Sequence, residues 1–331
     1  MSKRNILKSR IRGSIIGTAI GDAMGAPFEM LSPEKIPDFT GFMPNLVHHD
    51  LNPGQWTDDT QLMRPILRSI IESNAIDPHG IAKLTREVFE QEEHRGWSRS
   101  ATSAAKRLSR GVPWYDAANE SIGIGNGVAM KAAPMGIYLA QYLTKYAKTG
   151  NISPELRHTL NAIVGVGHIT HHEVGIAGGV MQSVLIGLSL LGITNKKNIL
   201  GLLGNVEQDL FDGTRFADKL KTALTYDTVE DLAENVGVGS KADASWTTSA
   251  AVFLNTKKRS EAAPRMIELI KQGGDCDTTG AMFGALAGAR WGVSVFPPEW
   301  RAEVEGGKEL LKMADSLYNV MYDSLSAFAH A

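Results

Sequence analysis

The chain has 331 residues, 43% of them hydrophobic and 21% charged, proportions that exclude a disordered or fibrous polymer. Lys and Arg number 34 against 36 Asp and Glu, so a net charge of -2 provides no global basic field for nucleic acid or membrane. The one cysteine, Cys276, excludes an internal disulfide framework and a cysteine-rich zinc site, and it suits a reducing cytosol.

Lys3, Arg4, Lys8, Arg10 and Arg12 precede the first acid, Asp22, a basic opening of the kind seen in organelle presequences. The apolar pattern nevertheless runs unbroken from Ile6 to Ala26, so the segment reads as part of the fold and the chain as cytoplasmic. Apolar residues at three-and-four spacing then predict helices over 81–89, 99–108, 158–166, 176–193, 247–254, 261–270, 278–291 and 309–325. Asp77-Pro78 and Ser153-Pro154 each set a capping side chain before a proline at the first helical position. Loops are expected at 31–56, 109–126 and 235–244, where Gly, Pro, Asn and Asp collect. Val174 to Ile193 is uncharged and long enough to span a bilayer, but its glycines, serines and Gln182 fit a buried central helix better. Strand-like alternation is almost absent, and neither a linker nor a repeat divides the chain. The expectation is one all-α domain over residues 1–331.

Gly13, Gly17, Gly21 and Gly25 stand four apart, and so do Gly280, Gly284, Gly288 and Gly292. That spacing gives each helix a smooth face, which is tolerable where another backbone packs unusually close. Both helices are expected at the centre, with leucine at Gly284 disruptive and alanine mild.

An acidic cluster lies at the end of each. In Trp56-Thr57-Asp58-Asp59-Thr60, adjacent carboxylates suit a helix start through the macrodipole. They equally suit a hard divalent cation, and taken alone the two readings are even. In Gly273-Gly274-Asp275-Cys276-Asp277-Thr278, the acids are two apart and can share one side, with Cys276 pointing away. Four converging carboxylates repel strongly, and two divalent ions remove the problem. Rival motifs fail. His172-Glu173 lacks the second zinc-protease histidine, no Walker loop occurs, and there is no Gly-x-Ser-x-Gly elbow.

Five blocks carry a family resemblance: Gly17-Thr18-Ala19-Ile20-Gly21-Asp22-Ala23-Met24-Gly25 with Glu29; Trp56 to Thr60; Asn126-Gly127-Val128-Ala129-Met130 leading to Pro134; Thr170-His171; and Gly274 to Thr278. In this order they resemble the ADP-ribosylglycohydrolase family, with its dinitrogenase reductase-activating and ADP-ribosyl-acceptor branches. The resemblance implies a compact, single-domain orthogonal helical bundle with two Mg²⁺ or Mn²⁺ ions at its centre. It implies Thr57, Asp58 and Asp59 as metal ligands from one side, and Asp275, Asp277 and Thr278 from the other. Glu29 resembles a glutamate beside the metals and is the first choice to activate water, with Asp58 the second. Asp22 is either an orienting hydrogen-bond acceptor or a structural cap. Trp97 and Ser98 lie in a turn that resembles a cleft-lining loop, Trp97 being either an adenine platform or a core residue. Asn126, Gly127 and Met130 resemble a phosphate- and ribose-holding segment. His171 resembles a histidine at the ribose edge, a satisfied core histidine being the other reading.

Three departures stand out. Lys131 replaces a common Arg, turning bidentate phosphate contact into a point charge. Thr279 replaces an aliphatic residue, and Pro65 should distort the helix after the first acidic motif. The implied chemistry is hydrolysis of the N- or O-glycosidic bond between ADP-ribose and an acceptor, with protein arginine first. The implied partners are an ADP-ribosylated protein or a small ADP-ribosyl compound, opposite a cognate ADP-ribosyltransferase, and the implied state is a monomer. The rival class is a protein that binds ADP-ribose or neutralises a toxin by occlusion, as an immunity factor would.

Overall fold

Helices dominate the described residues, which in the computed structural model are 2–48, 50–118 and 123–326. In chain order they are α1 (Lys3–Gly25), α2 (Asp58–Ser73), α3 (Pro78–Gln91), α4 (Arg99–Ser109), α5 (Ala133–Thr149), α6 (Pro154–His168), α7 (Glu173–Leu190), α8 (Lys196–Leu210), α9 (Phe216–Ala223), α10 (Val229–Asn235), α11 (Ala242–Asn255), α12 (Ala262–Ile270), α13 (Cys276–Trp291), α14 (Pro298–Glu303) and α15 (Gly307–Ser326). No strand occurs among the described residues, and one isolated bridge joins Gly125 to Lys241.

The caps explain where several helices begin. Asp77 accepts hydrogen bonds from the backbone N–H groups of His79 and Gly80 ahead of α3, and Ser153 accepts from Leu156 ahead of α6. Each expected helix forms, and α2 runs through Pro65 without ending. Three expected loops are also present, although 119–122 lies outside the described residues. Helix α5 carries no periodic stripe because Ala133 to Gln141 are all buried, so no face alternates with solvent. Helices α8, α9, α10 and α14 likewise lie outside the predicted set.

Three of the N-terminal basic residues make contacts within the fold. Lys8 and Arg12 pair with Asp315 on α15, and Arg10 donates to the carbonyl of Leu190 at the end of α7. Helix α7 is the one described helix long and apolar enough to cross a membrane, with a mean hydropathy of 1.5, and 89% of it is buried within the protein.

Helices α1 and α13 lie antiparallel with their glycine faces in contact. A Cβ added at Gly17 would sit 2.3 Å from the carbonyl oxygen of Gly284, and one added at Gly284 would sit 2.0 Å from that of Gly17. Gly21 faces Gly280 and Gly13 faces Gly288 in the same register. Each glycine thus turns a Cα hydrogen toward a facing carbonyl, a recurring contact at close helix crossings. The packing corrects the expectation that alanine would be mild. Even a methyl group meets backbone, which cannot step aside as a side-chain tip can. Gly284→Ala should cost about 3 kcal/mol, the upper end of ordinary overpacking. Urea unfolding should show a lower midpoint at unchanged slope, and an unmoved midpoint would mean the helices separate freely.

Candidate metal centre and substrate cleft

Because α1 and α13 are antiparallel, the C-terminal end of one lies beside the N-terminal end of the other. The start of α2 is brought to the same place by Asp22, which is fully buried on the last turns of α1. Its Oδ1 accepts from the backbone N–H and the hydroxyl of Thr57, both at 2.8 Å. Its Oδ2 accepts from the N–H of Thr60 at 2.9 Å and the hydroxyl at 2.7 Å. Asp22 therefore caps α2 from another helix, and both readings of it from sequence hold together. Burial pushes its carboxyl up, against these four hydrogen bonds.

The α13 end is shaped by Gly273 and Gly274, at φ +69° and +64°. A Cβ would meet the carbonyl of Leu31 at 2.2 Å in the first and that of Val238 at 2.7 Å in the second. The Gly274 carbonyl accepts from Met30 N–H, and its N–H donates to the Leu31 carbonyl. This exchange clamps the loop bearing Glu29 against the turn bearing Asp275.

Carboxylates converge accordingly. Oxygens of Asp22, Asp59 and Asp277 lie within 4.8 Å of one another, and so do oxygens of Glu29, Asp275 and Asp277. Asp277 belongs to both groups. Burial, then the neighbouring acids, drive Asp58, Asp59 and Asp277 well above the usual carboxylate range. Asp275 is also raised by burial, offset by its hydrogen bonds.

The donor set fits a hard cation. Thr57 gives its single hydroxyl proton to Asp22, so it presents only lone pairs to Asp277 Oδ2, 3.3 Å away. Asp59 Oδ1 is buried with no hydrogen-bond partner, and its Oδ2 lies 3.4 Å from the Thr278 hydroxyl. Facing acceptors and an orphaned carboxylate oxygen are what a divalent ion with oxygen ligands would satisfy. Asp22 has both oxygens committed to α2 and is poorly placed to serve as a ligand. Cys276 turns its sulfur to the Gly25 carbonyl at 3.4 Å, away from the acids as expected.

The expected sites differ in placement. Asp58 lies outside both groups and accepts from the N–H of Ser98. Ser98 itself caps α4 through Ala101 N–H at 3.2 Å. Trp97 is half-buried, and its indole N–H donates to Gln61 Oε1 at 2.6 Å. Asn126 donates to Asp275 Oδ2 at 2.9 Å and to the Ser245 hydroxyl at 3.1 Å, tying its loop directly to the acids. Met130 is buried with its sulfur 4.0 Å from the Thr278 hydroxyl. His171 is only 2% exposed and lies under Gly127, where a Cβ would come within 2.7 Å of the ring. Its Nδ1 meets the Thr170 hydroxyl at 2.7 Å, and burial, then the charge of Lys131, hold its pKa near 3, so the ring is neutral. Buried Lys131 is lowered to about 8 by desolvation, against the pull of Asp58 and Asp59.

Two participants escaped sequence reasoning. Gln61, buried on α2, also donates to Glu92 and to the Glu93 carbonyl, holding the loop that carries Trp97. His48 Nε2 donates to Glu29 Oε2 at 2.5 Å. The position of Gln61 directly after Thr60 was a usable signal for the first, whereas a lone loop histidine offers none.

A family model described as ADP-ribosylglycohydrolase matches residues 3–326. The chain belongs to the ADP-ribosylglycohydrolase family. Members of the family are metal-dependent, and the chain is a hydrolase acting on glycosidic bonds, with acidic clusters that could hold a metal. It is 27% identical to ADP-ribosylhydrolase ARH3 of Gallus gallus, across 96% of this chain and 95% of the relative. It is 25% identical to ADP-ribosyl-[dinitrogen reductase] glycohydrolase of Rhodospirillum rubrum, across 93% and 95%. A solved structure titled ADP-ribosylglycohydrolase-related protein complex has the same fold, with a TM-score of 0.73 at 22% identity over 96% of this chain and 99% of that one.

The orphaned Asp59 oxygen generates a direct test. Excess Mn²⁺ should raise the melting temperature, since an ion at roughly a hundred times its Kd stabilises by about 2.7 kcal/mol. Asp59→Asn should abolish most of that rise. A variant that responds to Mn²⁺ like the parent would remove Asp59 from the metal centre.

Proposed function

We propose that this enzyme releases ADP-ribose from arginine side chains of modified proteins, using two Mg²⁺ or Mn²⁺ ions held between the starts of α2 and α13. The observation that carries the reading is Asp277, which has a carboxylate oxygen of Asp59 within 4.8 Å in one group and those of Glu29 and Asp275 within 4.8 Å in the other. Thr57 and Asp59 would complete one ion's shell, and Asp275 with Thr278 the other's.

When bound, the ions supply positive charge that fixes the hydroxyls of the distal ribose and makes nearby water more acidic. The chain's own groups do the rest. Glu29, steadied by His48, accepts the proton of the attacking water. Asp58 places negative charge near the anomeric carbon, where oxocarbenium character develops as the guanidine departs. Asn126 holds Asp275 and the loop of Gly127 and Met130 in one register, so ribose and phosphates meet a preformed surface. His171 supports that loop from beneath. Trp97, already committed to Gln61 through its N–H, would serve as the adenine platform. The full set of oxygen donors favours turnover over mere occlusion. The lone cysteine supports work in a reducing cytoplasm, opposite a cognate ADP-ribosyltransferase.

The experiment is release of ADP-ribose from an arginine-modified protein with Mg²⁺ or Mn²⁺ present. Asp277→Ala should lower kcat by about three orders of magnitude or more while helical content persists, the scale of losing preorganised charge at the reacting centre. Stoichiometric capture of the substrate without turnover by the parent enzyme would instead favour the binding-protein reading.

A further inference from the structure

A cleft of about 530 Å³ is lined by residues 47, 48, 50–52 and 55 and by residues 93–96. That volume suits a side chain or small ligand. His48 and Gly96 are among its lining residues. A Cβ at Gly96, which sits at φ +75°, would lie 3.4 Å from the His48 ring, 3.7 Å from Thr57 Cβ and 3.8 Å from Asp58 Oδ1. At Gly96 the lining of the cleft therefore reaches Thr57 and Asp58 at the start of α2. His48 is bonded in turn to Glu29. The Asn126 to Met130 loop approaches the acids from a different part of the chain, through Asp275 and Thr278.

The charges along this cleft are unequal. Arg95 is held by Glu305 and lies over the Trp56 ring at 4.5 Å. His48 is paired with Glu29, and His94 Nε2 is 2.7 Å from the Phe89 carbonyl. Asp50 and Glu93 also line the cleft, and among the described residues neither is in a direct ion pair, Glu93 acting on Arg95 only at longer, Coulombic range. With Arg95 committed to Glu305, the net charge along the cleft is negative.

We propose that this cleft is the acceptor subsite, and that Asp50 and Glu93 select a cationic, guanidinium-bearing acceptor over a neutral hydroxyl one. The proposal rests on the hydrolase reading above. A guanidinium carries its charge on a planar fork that carboxylates recognise at short range. At the cleft rim the attraction is screened by salt, so it should act mainly on KM.

The test compares the parent enzyme with Asp50→Asn, Glu93→Gln and the double variant. For ADP-ribosyl-arginine and ADP-ribosyl-serine peptides, the ratio of kcat/KM values should fall about tenfold in the double variant, chiefly through KM for the arginine peptide. Calorimetry with agmatine, in the presence of Mg²⁺ and ADP-ribose, should show binding to the parent and about tenfold weaker binding to the double variant. An unchanged ratio, or agmatine affinity that is absent in the parent or equal in the double variant, would overturn the subsite. Failure of the parent to hydrolyse either peptide would sink the hydrolase reading alone, because agmatine binding reads the cleft without turnover.

Discussion

Everything at the centre of this protein depends on backbone contact between α1 and α13. Facing glycines let carbonyl oxygens of one helix approach where side chains of the other would stand. Glycine costs about 1 kcal/mol relative to alanine at each helical position. A series of glycines on both helices is therefore a substantial local penalty, offset by close packing along the shared face. The antiparallel register sets Gly25 against Asp277, so Asp22 and Glu29 approach the acidic start of α13. Asp22 then fixes α2 through both oxygens. Three helix ends are thus joined by one backbone crossing and one buried carboxylate.

The same arrangement creates an electrostatic conflict. Asp58, Asp59, Asp275 and Asp277 are all buried, and burial with mutual repulsion raises each of them. Threonine hydroxyls and Asn126 relieve part of the cost, while Asp59 Oδ1 is left with no partner. A core that holds unbalanced acids sacrifices stability for function, and a bound cation would return it through linkage. Protons compete with the ion for raised carboxylates, so metal affinity should strengthen as pH rises.

Much of this was legible in the sequence because it is local. Four-residue glycine spacing marks one helix face, and two acids separated by one residue mark one side of a turn. The all-α class followed from apolar periodicity, and the family from the order of the motifs. What the sequence did not disclose depends on partners far apart in the chain. Asn126 reads as a substrate-loop residue, but its bond to Asp275 joins positions 149 residues apart. His48 reads as loop polarity until the fold brings it to Glu29. Helix α5 hid for the opposite reason, since burial on all sides erases the stripe that announces an amphipathic helix. Alanine at Gly284 seemed harmless because spacing shows that a face is small without showing that a carbonyl lies opposite it.

The most direct test of the account is a crystal structure grown with Mn²⁺, located by its anomalous scattering. Two peaks should appear on either side of Asp277, one within coordinating distance of Thr57 and Asp59 and the other of Asp275. Absence of ordered Mn²⁺ from these oxygens, at a concentration that changes the protein's melting temperature, would contradict the assignment of this acidic cluster as the metal centre.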